Sequence, residues 1–236
     1  FISTLSHELK TPLNIFASSV QLLDSFSDGD KEEFVYKYKK HSPYLALNCK
    51  RMLRLINNII DLTKIDVGMI KPNFGNYEIV SLIEEIALSI IPYGMSKNID
   101  IEFDTNVEEH YIKCDPNMIE KIVLNLLSNA IKYSKNNGYI KINLILESDI
   151  IRFIVSDNGI GIDEKIKGKI FDRFSRGDNS LNRLNEGSGV GLSIVKSMID
   201  IHNGNVTVES VLGKGSTFEV QLPNIKIEDE LEEIYE

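Results

Sequence analysis

The sequence predicts an α+β protein in which a helical hairpin precedes a domain of sheet and helices. Apolar residues recur at spacings of three and four over residues 2–23 and 49–65, which indicates amphipathic helices. Gly68, Pro72 and Gly75 then end that period. Beyond them, short β-branched runs alternate with helical stretches but lack βαβ regularity. We predict a hairpin over residues 1–70, a second domain over 71–224 and an acidic tail over 225–236.

Two helices form the predicted hairpin. The first carries an apolar stripe of Ile2, Leu5, Leu9, Leu13, Phe16, Val20 and Leu23. The second, after a polar turn, carries Cys49, Met52, Leu55, Ile56, Ile59, Leu62 and Ile65. Pro43 either starts this helix or lies within a longer one that begins near Lys31, which we favour. One hairpin buries too little surface, so we expect a dimer that forms a four-helix bundle; a plain coiled coil is the alternative.

His7 lies opposite the apolar stripe of the first helix, so its imidazole is predicted to face water. Most surface histidines are inert. Here Glu8 is adjacent and Thr11 is one turn further on, so a carboxylate and a hydroxyl can both lie beside the ring. These neighbours make His7 a candidate nucleophile.

The second domain is predicted to mix helices and strands. Residues 77–96 indicate a short strand and a helix, and Asp115-Pro116 is a typical start for a long helix over 115–135. Strands are predicted at 99–103, 111–113, 139–146, 150–156, 205–209 and 217–221. A polar stretch over 175–188 precedes a helix at 190–202. We expect the tail from residue 225 to be a solvated helix or a disordered end.

Asn125 and Asn129 are four residues apart on the long helix, with Lys132 and Tyr133 a turn further on. Amide oxygens suit Mg²⁺ that is shared with phosphates, and a lysine suits the phosphates themselves. The alternative is that the two amides only satisfy local backbone groups.

Two further motifs lie at the end of a predicted strand and just before a polar stretch. Asp157 closes a predicted strand, and Gly159 and Gly161 let the backbone approach a ligand closely. A carboxylate can accept a hydrogen bond from an exocyclic amine, which points to the adenine end of a nucleotide. Phe171 and Phe174 flank a charged pair just before the polar stretch over 175–188. A small hydrophobic anchor for that stretch is the plain explanation of the two rings.

A last motif, EGSGVGLSIVK, places Gly187, Gly189 and Gly191 before an apolar helix. Free backbone N–H groups and the helix dipole can receive phosphate oxygens there. The motif is neither a Rossmann fingerprint, since no strand runs into it, nor a Walker loop, since no Gly-Lys-Ser/Thr closes it.

Composition excludes some functions. A net charge of −9 is the wrong sign for a nucleic-acid surface. No apolar run approaches the roughly 20 residues that span a bilayer. Cys49 and Cys114 lie far apart, which favours a reduced, cytoplasmic environment over a disulfide. Without an initiator Met or a signal peptide, the chain is expected to be part of a longer protein.

Together these motifs resemble the catalytic core of a two-component sensor histidine kinase over residues 1–223. SHELKTPL resembles the H box and NLLSNAIKYS the N box. DNGIGI and GSGVGL resemble the two glycine boxes, and FDRF the F box. The resemblance implies a dimerisation and phosphotransfer hairpin, then a Bergerat-type ATP-binding domain, an α/β sandwich whose mixed sheet carries helices on one face.

The resemblance also implies roles for particular residues. His7 would accept the phosphoryl group, with Glu8 as orienting base and Thr11 holding a water for phosphatase activity. Asn129 would ligate Mg²⁺ with help from Asn125. The other implied nucleotide-binding residues are Lys132, Tyr133, Asp157, Gly159, Gly161, Ile162, Phe174, Gly187, Gly189, Val190, Gly191 and Leu192. Residues 175–186 would form an ATP lid, with Arg176 or Arg183 as candidate contacts and a solvated loop as the alternative.

The implied cofactors are ATP and Mg²⁺, and the implied partners are a second copy of the chain and the receiver domain of a response regulator. An upstream sensor, soluble or membrane-bound, is expected in the full-length protein. An ATPase that only hydrolyses ATP and a non-catalytic dimeric scaffold are the rival functions. Phosphorylation within a protomer and phosphorylation across the dimer both stay open.

Overall fold

The structure is a computed structural model that describes residues 2–26, 31–175 and 189–227, with side chains described from residue 9 onward. By its internal contacts the chain divides into two compact units, Phe1–Met69 and Ile70–Glu236. Within the described ranges, none of the helices is both long and apolar enough to cross a membrane.

The first unit is a helical hairpin of α1 (Ile2–Asp24) and α2 (Lys31–Asp66). Pro43 lies inside α2, which confirms the longer of the two helices considered for it. The buried residues of α2 are spaced by seven and are Asn48, Leu55 and Leu62. Cys49 is exposed, so its predicted place on the buried stripe is wrong. Asn48 takes the inward position instead, because its amide donates to the Tyr44 carbonyl at 2.8 Å and is satisfied there.

Much of the apolar stripe of α1 stays exposed in the single chain. The exposed fractions are 54% for Leu13, 41% for Phe16 and 37% for Val20. On α2, Leu53 and Ile60 are also exposed. The contact between the two helices therefore covers only part of the apolar surface that the sequence places on them.

The second unit contains the remaining helices and strands. Its helices are α3 (Ile79–Met95), α4 (Pro116–Tyr133), α5 (Glu164–Lys167) and α6 (Gly191–Ile201). Its strands are β1 (Gly75–Glu78), β2 (Ile99–Thr105), β3 (Tyr111–Cys114), β4 (Gly138–Leu146), β5 (Ile150–Asp157), β6 (Asn205–Val211) and β7 (Gly215–Pro223). These elements agree with the predicted α+β class.

The main sheet has five strands in the order β2-β4-β5-β7-β6. Strand β2 runs parallel to β4 and the other pairs are antiparallel, so the sheet is mixed. Alternate residues of the central strands are buried, including Ile142, Phe153 and Val220, and helices α3, α4 and α6 cover that face. Strands β1 and β3 form a separate antiparallel pair.

Helix α4 begins as the sequence predicts. The Asp115 carboxylate caps it by accepting the N–H groups of Asn117 and Met118 at 3.0 and 3.2 Å, and Pro116 occupies the first turn. The helix ends at Tyr133, two residues before the predicted end. Its position matters because it carries both asparagines of the candidate site.

His202, which the sequence analysis did not single out, joins the start of α4 to the end of α6. Its Nε2 accepts the Asp115 backbone N–H at 3.0 Å, so Nδ1 carries the proton and donates to the Met198 carbonyl at 2.7 Å. The ring also packs edge-on against Phe74, with centroids 5.2 Å apart. Burial lowers the pKa of His202, which keeps the imidazole neutral.

The first residues of the predicted tail are neither helical nor loose. The Ile225 carbonyl accepts the N–H of Lys113 at 2.7 Å, and Asn76 exchanges two hydrogen bonds with the backbone of Ile227 at 2.9 and 2.7 Å. The expectation for residues 225–227 is therefore wrong, because pairing beside β1 and β3 satisfies their backbone. Residues 228–236 lie outside the described residues.

Candidate functional site

The predicted phosphoacceptor lies within helix α1. The backbone at His7 and Glu8 is helical, but their side chains lie outside the described residues. Thr11 is exposed on the same helix, one turn from His7, and Pro12 follows it. The helical spacing of His7, Glu8 and Thr11 is thus as the sequence predicts, while their side-chain geometry stays a prediction.

Helix α4 presents Asn125 and Asn129 on one half-buried face. The Asn125 amide donates to the Lys121 carbonyl at 2.8 Å, which leaves its oxygen directed toward Gly191. Among the described residues, no group hydrogen-bonds the side chain of Asn129. The alternative, in which the amides only satisfy local backbone groups, therefore holds for the NH₂ group of Asn125. It does not hold for the Asn125 oxygen or for the Asn129 side chain.

Lys132 and Tyr133 close the same face at the end of α4. The Lys132 ammonium donates to the Tyr133 hydroxyl at 2.8 Å and lies 4.4 Å from the centroid of the Tyr133 ring. This cation–π contact holds the charge near the helix end. Both side chains can reach a ligand there, because Lys132 is half-buried and Tyr133 is 37% exposed.

Asp157 ends β5 beside the first glycine motif. Its Oδ1 accepts the Gly159 N–H at 2.8 Å. Burial is the largest influence and raises the pKa of Asp157. A half-buried carboxylate in this position can accept a further hydrogen bond from a ligand.

The two glycines after Asp157 are required by close approach of the backbone. A Cβ on Gly159 would lie 2.3 Å from the Tyr133 carbonyl oxygen. Gly161 has φ +68°, and a Cβ there would lie 2.1 Å from the Val211 oxygen. Ile162, which follows, is half-buried, and its N–H donates to the Ser210 hydroxyl at 2.8 Å. The loop is thus tightly fitted between the end of α4 and strand β6.

Phe174 and Gly189, which flank residues 175–188, contact each other through their backbones. The Phe174 N–H donates to the Gly189 carbonyl at 2.8 Å, and both residues have positive φ, near 60° and 66°. Val190 is fully buried and Leu192 is half-buried at the start of α6. Residues 176–188, which include Gly187, Arg176, Arg183 and most of the predicted lid, lie outside the described residues.

The first turn of α6 contacts the asparagine face of α4. A Cβ on Gly191 would lie 2.7 Å from Asn125 Oδ1, so this oxygen reaches the helix N-terminus. The start of a helix offers free N–H groups and positive potential to phosphates. The structure therefore brings Asn125 together with the second glycine motif, as the sequence alone could not show.

The donor set fits Mg²⁺ that is shared with a polyphosphate. Mg²⁺ prefers oxygen ligands, keeps several waters and needs only one or two protein ligands beside phosphates. Asn129, whose amide has no partner among the described residues, and the Asn125 oxygen meet that need. No cluster of three or more acidic, His or Cys ligands occurs among the described residues, so an all-protein metal cage is not formed by them.

Sequence reasoning missed two contributions to the site. The Tyr133 carbonyl accepts the Ile160 N–H at 3.0 Å, and backbone groups carry no sequence signal. Gly215 has φ +115°, and a Cβ there would lie 1.9 Å from the backbone carbonyl oxygen of Asp157, so this position requires a glycine. The two glycines Gly213 and Gly215, between the predicted strands at 205–209 and 217–221, were the available signal for the second contribution.

Two family models match the chain. Residues 114–226 match the model described as histidine kinase-, DNA gyrase B-, and HSP90-like ATPase. Residues 1–68 match the His Kinase A (phospho-acceptor) domain. The first match contains the asparagine face and both glycine motifs, and the second contains His7.

Similar proteins and structures agree with these matches. The sensor histidine kinase WalK of Bacillus subtilis is 32% identical over 94% of this chain, and ArlS of Staphylococcus aureus is 33% identical over 93%. The chain spans only 36% and 48% of the lengths of these two curated relatives. The solved catalytic domain of histidine kinase ThkA is 30% identical, with a TM-score of 0.58, over 65% of this chain and 99% of that one.

One further solved structure is similar in fold over nearly the whole chain. It is histidine kinase ThkA in complex with the response regulator protein TrrA, and it has a TM-score of 0.73 at 24% identity. The similarity covers 94% of this chain and 60% of that one.

Proposed function

Because this chain belongs to the histidine kinase family, we propose that it transfers a phosphoryl group from ATP to His7 and then to an aspartate of a response regulator. The observation that carries this proposal is the meeting of Asn125 Oδ1 with Gly191 at the start of α6. That contact joins the asparagine face to the phosphate-binding motif and makes one continuous site for a nucleotide.

Each end of the proposed site suits one part of ATP. Asp157 would accept a hydrogen bond from the exocyclic amine of adenine, since this residue is half-buried and its carboxylate is held by the Gly159 N–H. Gly159 and Gly161 would let the base lie close to the backbone. Tyr133 would pack near the nucleotide, with Ile162 and Phe174 completing the apolar side of the site.

At the other end, the N–H groups around Gly189 and Gly191 and the ammonium of Lys132 would bind the phosphates. Gly187 is assigned to the same loop, with Val190 and Leu192 anchoring it to the core. Asn129 would ligate Mg²⁺ together with Asn125. When bound, Mg²⁺ neutralises charge on the transferring phosphoryl group.

The chemical step depends on the position of His7 more than on acid or base strength. A neutral imidazole is already a nucleophile. Glu8 would hold the ring in the reactive tautomer and accept its second proton. The phosphoramidate that forms is a high-energy donor, and a receiver aspartate would accept its phosphoryl group.

We further propose that the active form is a homodimer. Leu13, Phe16 and Val20 remain exposed along one stripe of α1, and Leu53 and Ile60 are exposed on α2. An isolated hairpin cannot bury these side chains, whereas a four-helix bundle made by two hairpins can.

The direct test is incubation with γ-labelled ATP and Mg²⁺. The label should be stable in alkali and labile in acid, as expected for phosphohistidine. His7→Gln should abolish labelling and keep ATP affinity within about twofold, because His7 and the nucleotide motifs lie in different units. Asn129→Ala should remove labelling, because it removes the amide oxygen that is proposed to ligate Mg²⁺. Loss of ATP binding in His7→Gln, or ATP hydrolysis without labelled protein, would contradict the proposal.

A second activity, dephosphorylation of the same response regulator, is proposed for Thr11. Thr11 is exposed and lies one helical turn from His7 along α1, where a hydroxyl would hold a water in line with an aspartyl phosphate. The alternative is that Thr11 only bonds a backbone carbonyl before Pro12. Thr11→Ala should keep His7 labelling and lose most of the acceleration of phospho-receiver decay. Equal loss of both activities would mean that Thr11 only supports the helix.

A further inference from the structure

Three hydrogen bonds connect the end of α4, the first glycine loop and the turn between β6 and β7. The Ile160 N–H donates to the Tyr133 carbonyl at 3.0 Å. The Gly213 N–H donates to the Ile160 carbonyl at 2.7 Å. The Lys135 ammonium donates to the Gly213 carbonyl at 2.6 Å and so closes a ring back to the chain that leaves α4. We call this set the Lys135 ring.

The Lys135 ring surrounds the loop that carries the proposed adenine contacts. Ile160 lies between Gly159 and Gly161, and both of its backbone hydrogen-bonding groups belong to the ring. Gly161 is also held against Val211, which precedes the turn. Movement of the turn would therefore be transmitted to the glycine loop.

Apolar packing contributes little to the turn, which is otherwise held by the pairing of β6 with β7 and by the Lys214 N–H bond to the Val211 carbonyl at 2.9 Å. Val211 and Leu212 are each 56% exposed, and a Cβ on Gly213 would meet no atom within 4 Å. A turn with so few apolar contacts depends on its hydrogen bonds for a fixed position. Of the bonds to Gly213, the one from Lys135 is charge-assisted, which makes it stronger than a bond between neutral groups.

We propose that Lys135 is a positioning residue for the adenine end of the site. It fixes the β6–β7 turn against the first glycine loop, and the loop in turn holds Asp157 and the two glycines in place to receive the base. Lys135 itself touches no nucleotide in this proposal. The inference rests on the proposed function, since it assigns a consequence for ATP binding to that same site.

The test compares Lys135→Met with Lys214→Met in the full chain. Lys214 lies in the same turn, carries the same charge, and makes no side-chain hydrogen bond or ion pair with the described residues. The two variants therefore change the net charge equally, and only the first breaks the ring. Lys135→Arg keeps a charged donor and serves as the conservative rescue.

The first readout is the affinity for a fluorescent ATP analogue, measured by titration. Lys135→Met should bind about three- to tenfold more weakly, a modest factor because the ammonium is exposed. Lys214→Met should match the unsubstituted chain, and Lys135→Arg should recover most of the affinity. In autophosphorylation, the KM for ATP should rise by the same factor while kcat stays within about twofold.

The second readout is amide hydrogen exchange without nucleotide, in peptides that cover residues 157–162 and 211–215. Exchange in both peptides should become faster in Lys135→Met and not in Lys214→Met. This readout separates the inference from the proposed function. If the unsubstituted chain binds no nucleotide, the proposed function fails, and the affinity part of the inference with it.

Two results would overturn the inference while leaving the proposed function intact. One is nucleotide binding by the unsubstituted chain together with equal affinities for the two methionine variants. The other is unchanged exchange in both peptides of Lys135→Met, which would mean that the ring does not hold the turn.

Discussion

Gly159 offers a sharp perturbation because two backbones meet there without room for a side chain. In Gly159→Ala the new Cβ would lie 2.3 Å from the Tyr133 oxygen and 2.7 Å from Asp157 Oδ1, if nothing moved. The first neighbour is a backbone carbonyl at the end of α4, which cannot rotate away. Either the glycine loop or the last turn of α4 must shift.

The size of the effect follows from what that shift disrupts. Overpacking at a rigid site costs about 1–3 kcal/mol. Separation of the loop from Tyr133 would also weaken the 3.0 Å bond from the Ile160 N–H, which is worth about 1 kcal/mol. The total of roughly 2–4 kcal/mol corresponds to a fall in Tm of about 4–16 °C for a unit of this size. Because Asp157 would move as well, ATP affinity should fall at least about tenfold.

Calorimetry of the full chain and titration with ATP would measure both effects. Gly168→Ala is the matched control, because a Cβ there meets nothing within 4 Å and φ is ordinary. It should be neutral or slightly stabilising, by about 0–1 kcal/mol. A Gly159→Ala variant with Tm within about 2 °C of the control and unchanged ATP affinity would refute the close packing of loop and helix.

Three other predictions concern charged and titratable groups. Burial lowers the pKa of His202 below its ordinary 6.5. The stability that neutral His202 contributes is therefore present above pH 6.5 and is lost as the pH falls below that value. Calorimetry should show that the destabilisation caused by His202→Gln becomes smaller over the same acidic range. Burial raises the pKa of Asp157, so ionisation of its carboxyl group lowers the stability of the fold at neutral pH. The Asp157→Asn variant should therefore have a Tm at pH 7 at least as high as that of the unsubstituted chain. In a titration with ATP it should nevertheless show a lower affinity. Arg152 donates two bonds to Glu219 and one to Glu147 on the uncovered face of the sheet; by denaturant unfolding, Arg152→Met should lose about 1–2 kcal/mol without changing ATP affinity.

The sequence predicts those parts of the fold that local chemistry determines. The cap at Asp115 and the long helix α4 follow from a carboxylate before a proline and a clear helical period. Strands β4 and β5 follow from the alternation of β-branched residues in their sequences, and alternate residues of both strands are buried in the structure. Both are local signals, and each is satisfied by residues within one element.

Long-range contacts account for what the sequence could not predict. The apolar period predicts Cys49 on the buried stripe, yet the structure buries Asn48, whose amide donates to the carbonyl four residues earlier. Residues 225–227 look like a loose acidic end, but their backbone pairs with Lys113 and Asn76, far away in sequence. Pairing of this kind leaves no signature in side-chain pattern.

The candidate site shows the same division. The residue types at Asn125, Asn129 and Asp157 indicate metal and adenine chemistry from sequence alone. Their arrangement depends on backbone contacts at Gly159 and Gly191, which only the fold supplies. The Lys135 ring is also invisible in the sequence, since all three of its acceptors and two of its three donors are backbone groups.

Transfer of a phosphoryl group from ATP to His7 can be tested by mapping the phosphorylated residue. The full chain would be incubated with ATP and Mg²⁺, digested at alkaline pH and analysed by mass spectrometry, with released phosphate measured in parallel. We expect one phosphorylated peptide, which contains His7, and no phosphorylated peptide from the His7→Gln variant. Phosphorylation of another residue, or release of free phosphate with no modified peptide, would contradict it.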